Sequence, residues 1–175
     1  MTKPNLISLF LISILLTSCF GSYYYKQIDT ASGKIPADFA KNKNEVLLIQ
    51  KYLIPESIKG SISGENQING WLKRIPKKMY SGASIFLDEE TEKLSMEKFN
   101  NTDVYRFIFK VEYQTSGTSI NSGASGTVFY RSYAMYDRKL DKTYNGFQRS
   151  TAQASIIIKA YMKRLNEMYI DNHSD

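Results

Sequence analysis

Runs and periods of apolar positions divide the chain into an apolar leader, a polar stretch and a succession of strands and helices. Leu6 to Leu16 is interrupted only by Ser8 and Ser13, whereas Lys26 to Asn44 is mostly polar. Val46 to Ile54 is a dense, β-branched run stopped by Pro55, which predicts a buried central strand. Between Glu65 and Met79, Ile68, Leu72 and Ile75 fall at helical spacing, with Trp71 and Met79 beside them. Gly70 and Pro76 lie in the same stretch, and proline lacks an amide donor, so a short, broken helix is expected. Ala83 to Asp88 reads as a strand. Val104 to Tyr113 alternates cleanly and puts Tyr105, Phe107, Phe109, Val111 and Tyr113 on one face. Thr115 to Gly126 is rich in glycine and serine, and a stretch of that length predicts a flexible hairpin loop. Thr127 to Asp137 returns as a strand with Phe129, Tyr133 and Met135 on one side, and Lys142 to Gln148 adds a shorter one.

The last element, Ser150 to Ile170, has the strongest helical period. Ser150 and Gln153 form a capping box, in which each side chain satisfies an orphan amide. Ala154, Ile158, Tyr161, Leu165 and Met168 make one apolar stripe, with Ile157 and Met162 widening it. Lys159, Lys163, Arg164 and Glu167 fall on the other side, and Asp171 to Asp175 is expected to fray. Consecutive strands joined by short turns favour antiparallel pairing. The expected fold is therefore α+β: a mostly antiparallel sheet of four to five strands with two helices packed on one face. The folded domain is expected over 45–175, preceded by a tether over 19–44. Tyr23, Tyr24 and Tyr25 in that tether suit the headgroup level of a membrane, where amphipathic rings are favoured.

The leader has its own physical reading. Eleven helical residues span roughly 16 Å, about half the ~30 Å hydrocarbon core of a bilayer. A short apolar run after Lys3 is the pattern of a signal peptide, here residues 1–18. It closes on Leu16-Thr17-Ser18-Cys19, which holds the only cysteine of the chain. Those four residues resemble the lipobox of bacterial lipoproteins. The resemblance implies cleavage between Ser18 and Cys19 by signal peptidase II, a diacylglycerol on the Cys19 thiol, and acylation of the new amino terminus. Two or three acyl chains give stable anchoring where one is marginal. Phe20 stands where an aspartate retains enterobacterial lipoproteins at the inner membrane, so the resemblance points to the outer membrane, facing the periplasm. In architecture alone, and through no motif, the rest is similar to the small α+β domains of envelope-assembly lipoproteins, such as the lipopolysaccharide-assembly lipoprotein family.

Composition narrows the chemistry. With one cysteine in an exported chain there is no disulfide, and stability must come from the core. The formal charge of +6 is mild, and nucleic acid is not an expected partner of an exported protein. The single histidine, His173, lies three residues from the end and offers no base to a hydrolytic triad. One histidine and one cysteine are too few for a zinc site, no phosphate-binding glycine motif is present, and no cofactor is expected. Asp88, Glu89, Glu90 and Glu92 are the densest acidic run; with Asp137 or Asp141 they are a remote candidate for carboxylate-dependent hydrolysis or calcium. No catalytic or metal residue is assigned.

Trp71, Lys73, Arg74, Lys77 and Lys78 are the candidate contact residues. Cations beside an aromatic on an amphipathic segment suit an anionic membrane surface or an acidic glycolipid. The expectation is thus a membrane-anchored, non-catalytic envelope lipoprotein that binds a protein or glycolipid partner. An exported inhibitor or immunity-type lipoprotein is the alternative, and a hydrolase of envelope sugars a weaker one.

Overall fold

A computed structural model describes residues 22–56, 59, 64–88, 98–119, 125–149 and 153–174. Five strands form one sheet in the order β2-β1-β3-β4-β5: β1 (Val46–Gln50), β2 (Ala83–Leu87), β3 (Phe107–Ser119), β4 (Ser125–Asp137) and β5 (Lys142–Arg149). Among the described residues, three helices with a full turn accompany them: α1 (22–27), α2 (Glu65–Met79) and α3 (Ala154–His173). The fold is α+β, as expected, but the sheet is mixed. β1 runs parallel to both β2 and β3, while β3–β4 and β4–β5 are antiparallel. The parallel β1–β2 pair follows from α2, because a helix between two adjacent strands returns the chain to the end where it started.

One face of the sheet carries the main core. Leu47, Ile49, Phe107, Phe109, Val111, Tyr133 and Met135 meet Ile68, Leu72 and Ile75 of α2 and Ile157, Ile158, Tyr161 and Leu165 of α3. Both long helices therefore lie on the same side. Leu48, Leu87 and Phe99 form a smaller cluster on the other face, joined by Ile85, Tyr105 and Ile108. Having both faces covered explains why β1 reads as a continuous apolar run.

Several boundaries differ from the sequence pattern, each for a local reason. β1 stops at Gln50 rather than Ile54, because α2 takes over the backbone groups beyond it. The Asn69 side chain bonds both the amide and the carbonyl of Tyr52 at 2.9 Å, and Glu65 accepts the Ile54 amide at 2.8 Å. The helix α2 is unbroken over its fifteen residues; Pro76 sits in its last turn, is buried, and accepts the Tyr80 amide on its carbonyl. β3 begins at Phe107, since 101–106 turns on Asn101, and that turn sends Tyr105 to the smaller cluster instead of the Phe107 face. The glycine- and serine-rich stretch is largely ladder: β3 and β4 pair down to Ser119 opposite Ser125, and 120–124 lie outside the described residues. α3 continues to His173, whose ring stacks on Tyr169 and whose Nδ1 meets the Tyr169 carbonyl at 2.8 Å. Ser150 also lies outside the described residues. Gln153, the N-cap, makes no capping bond and accepts the Tyr24 hydroxyl instead.

The largest correction concerns the tether. Tyr24, Ile28, Ile35, Phe39 and Ala40 are buried in the main core. Tyr24 packs edge-on against Phe147 of β5. Tyr25 donates to Glu167 of α3 and lies under Lys163. Of the three tyrosines expected at a membrane, only Tyr23 is strongly exposed, at 51%. The folded domain thus begins by Tyr24 rather than Glu45. Across the sheet the helical side is layered as α2, then α3, then α1.

One glycine in the sheet is forced by close approach. The β4–β5 ladder shifts register between Tyr133 and Met135, and a Cβ on Gly146 would lie 1.2 Å from the Tyr133 carbonyl oxygen. The same oxygen accepts the Tyr161 hydroxyl at 3.0 Å, so the bulge ties α3 to the sheet.

Candidate functional site

The contact residues expected on 71–78 all lie on α2, whose amphipathic period divides them. Leu72, Ile75 and Pro76 are buried, and Trp71 is half-buried against the main core. Lys73, Arg74, Lys77 and Lys78 are exposed. Lys73 extends over the Phe86 ring at 4.8 Å, and Arg74 Nε donates to the Gly70 carbonyl at 3.1 Å. The helix therefore presents four cations outward, while its tryptophan is part of the domain and not a free membrane probe. Ser18 and Cys19, the cleavage and lipid-attachment pair, lie outside the described residues.

A polar cleft of about 440 Å³ was not legible in the sequence. Asp38, Lys41, Asn42, Glu45, Asp103, Arg106 and Lys139 line it, at the end of the sheet where β1 and β3 begin and β4 ends. Arg106 is its hub. Its guanidinium meets Asp137 through Nε at 3.0 Å and Nη2 at 2.6 Å, and Asp38 through Nη1 at 2.6 Å, while lying over the Phe107 ring. Asp137 is fully buried and also accepts the backbone amides of Lys139 and Leu140. Burial works to raise the Asp137 pKa, but Arg106 and those two amides outweigh it and hold the carboxyl below its ordinary value. The same two carboxylates hold the guanidinium in its charged form. Lys139 pairs with Asp103 at 2.8 Å, which lowers the pKa of that aspartate.

Glu45 is the exception in this cleft. Its residue is only 4% exposed, and Oε1 accepts the Ala40 amide at 3.0 Å. Ala40 adopts a left-handed conformation, φ 59, which turns that amide inward. Burial pushes the carboxyl up to about 7; the Ala40 amide and Arg106 oppose the shift, and Asp38 and Asp137 add to it. The group is thus poised to change charge near neutral pH.

A second cleft of about 360 Å³ lies at the opposite end, where β1 and β2 finish, lined by Lys51, Asn66, Asn69, Gly70, Lys73, Phe86 and Asp88. It receives Asp88 of the acidic run; Glu89, Glu90 and Glu92 lie outside the described residues. The proposed carboxylate partners are engaged elsewhere, Asp137 as above and Asp141 with the Tyr136 hydroxyl at 2.6 Å. Among the described residues no group of three or more histidine, cysteine or carboxylate side chains could hold a metal ion. No described helix is long and apolar enough to cross a membrane.

In comparisons with known proteins, no family model matches the chain and no curated protein matches it.

Proposed function

We propose that the protein is a lipid-anchored, non-catalytic domain of the bacterial envelope, held at the outer membrane on the periplasmic side, that acts by contact with a protein or glycolipid partner. The observation that carries this reading is the burial of Tyr24 five residues after Cys19. An extended chain covers at most about 3.5 Å per residue, so acyl groups on Cys19 would keep the domain within about 17 Å of the bilayer. A tether reaching to Asn44 would have allowed about 85 Å. A domain held this close meets membrane-bound partners at high effective concentration, so individually weak contacts suffice. The polar groups best placed for chemistry are engaged in structure, with Asp137 held by Arg106, Asp141 by Tyr136 and His173 by Tyr169. That engagement favours contact over turnover.

The test is metabolic labelling with an alkyne palmitate analogue, comparing wild type with Cys19→Ala. The wild type should carry the label and fractionate with the envelope membranes, and the variant should do neither. Equal labelling and equal fractionation of the two would overturn the reading. Crosslinking of the labelled protein should then recover one reproducible envelope partner.

A further inference from the structure

The net charge of the chain is concentrated on its helical layer. α1, α2 and α3 together carry eight lysines and arginines against three acidic residues, a net +5 of the +6 formal charge of the whole sequence. Arg164 pairs with Glu167, and Glu65 is taken by the Ile54 amide. Among the described residues, Lys73, Arg74, Lys77 and Lys78 of α2 enter no ion pair. The same holds for Lys159 and Lys163 of α3 and for Lys26 of α1, and all seven are exposed. Outside the three helices, fifteen lysines and arginines are nearly balanced by fourteen acidic residues. Arg106, Lys110 and Lys139 are paired with carboxylates there, while Lys41, Lys43, Lys98 and Lys142 are exposed and, among the described residues, enter no ion pair.

These cations share one side of the molecule. α2 and α3 pack against each other on a single sheet face, and Tyr25 of α1 sits against Lys163 and Glu167 of α3. The buried stripe of each helix faces the sheet, so its exposed lysines face outward, except Lys73, which reaches back over the Phe86 ring of β2. The chain enters this layer directly: α1 begins three residues after Cys19.

We propose that the outer face of this helical layer docks on the anionic leaflet in which the acyl groups of Cys19 are inserted, so that the domain lies on its helices with the sheet's far face outward. This inference rests on the lipid-anchor reading above. Unpaired lysines near an anionic bilayer gain favourable energy that falls off within a Debye length, and the short connection to Cys19 keeps them inside that range. The occupant is the phospholipid surface rather than a protein, because the charge is spread over three helices and the chain leading from Cys19 enters this same layer. Ile170 of α3 is the large hydrophobic exposed on this layer beyond Tyr23.

The experiment uses full-length protein purified from membranes, its acyl mass measured first, and reconstituted into vesicles of phosphatidylglycerol or of phosphatidylcholine. A membrane-impermeant amine-reactive reagent then maps lysine accessibility by mass spectrometry. In phosphatidylglycerol, labelling of Lys77, Lys78 and Lys159 should fall about tenfold relative to phosphatidylcholine, as expected for groups held against a charged surface. Lys98 and Lys110, on the smaller-cluster side of the sheet, should label equally in both. The surface variant Lys77→Glu/Lys78→Glu/Lys159→Glu should stay vesicle-bound yet lose the protection of Lys26 and Lys163. Acyl mass with equal labelling in the two lipids overturns the docking inference and leaves the anchor standing, as does protection that is the same in both. Absence of acyl mass overturns the anchor, and the docking inference falls with it.

Discussion

Replacing Glu45 by glutamine isolates the group most sensitive to pH. The glutamine keeps a carbonyl oxygen for the Ala40 amide, now 3.0 Å from Glu45 Oε1, and cannot ionise. In the folded protein the Glu45 carboxyl titrates at about 7, against an ordinary value of 4.5. A raised acid binds its proton more tightly when folded. The stability it contributes is therefore fully present below about pH 4.5, declines through about pH 7, and is gone above that. Each pKa unit corresponds to about 1.4 kcal/mol, so the shift sets an upper limit of about 3 kcal/mol on the loss. The nearby Arg106 guanidinium already moderates this shift, since it opposes the burial that raises the carboxyl.

Urea unfolding of both proteins at a series of pH values between about 4 and 8 gives the comparison, with m checked for constancy. Near pH 4 the two should be equally stable within about 0.5 kcal/mol, the usual scatter of a neutral substitution. By about pH 8 Glu45→Gln should be the more stable, by between 1 and 3 kcal/mol. Every other titrating group is common to both proteins and cancels in the difference. A difference that stays flat across the range, or a variant that is weaker at high pH, would show that the carboxyl is ionised and well solvated throughout.

Three further outcomes follow from named contacts. Arg106→Leu leaves Asp137 buried without its counter-charge and should cost about 3–5 kcal/mol in urea, whereas Asp137→Asn should flatten the loss of stability below about pH 4 that comes from protonating a carboxyl held low. Gly146→Ala drives a methyl into the Tyr133 carbonyl and should cost more than about 3 kcal/mol by thermal melting, with loss of the β5 amides' exchange protection. Tyr24→Ala should cost about 3 kcal/mol, as for a buried ring against Phe147, while Tyr23→Ala should change stability by less than about 0.5 kcal/mol; equal effects would return 22–44 to the status of a tether.

What could be read from the sequence depended on how regularly each element repeats. In the α3 stripe Ala154, Ile158, Tyr161 and Leu165 are buried and Met168 partly so, because successive turns restate the same face. The alternation holds from Phe107 through Phe109 to Val111, with Tyr113 partly buried beside them, while Tyr105 leaves for the smaller cluster. The 22–44 segment offered a misleading pattern. Tyr24, Ile28, Ile35 and Phe39 are spaced by four, seven and four residues, as on one helical face, but Gly33 and Pro36 interrupt the stretch and only 22–27 is helical, so tertiary contact rather than one helix makes them a single surface. Glu45 was hidden for a related reason. A glutamate before an apolar strand reads as a solvated flank, and its burial depends on the turn over 37–40 and on the left-handed Ala40. The Arg106–Asp137 pair is a consequence of register: Phe107 lies opposite Asp137, so the residue before β3 meets the end of β4 across thirty-one positions. The helix α2 survived Pro76 because its proline falls within the last turn of a helix whose Ile68, Leu72 and Ile75 are already anchored.

Charge separates the two surfaces that a membrane-held domain could use, and this makes their contacts distinguishable. The cleft around Arg106 neutralises itself: its guanidinium faces two carboxylates, and Lys139 faces Asp103. A partner seated there would be recognised by shape and hydrogen bonds, and raising salt should barely weaken it. Arg164 apart, which pairs with Glu167, the cations of α2 and α3 have no such compensation, so anything they touch is held by a field that salt screens within about 10 Å at 0.1 M. Two binding events with such different salt responses can be separated in one titration of the lipidated protein. Loss of lysine protection without loss of a crosslinked partner would place the partner on the cleft side of the domain, away from the bilayer. Simultaneous loss of both would place the partner on the helices, in competition with the lipid.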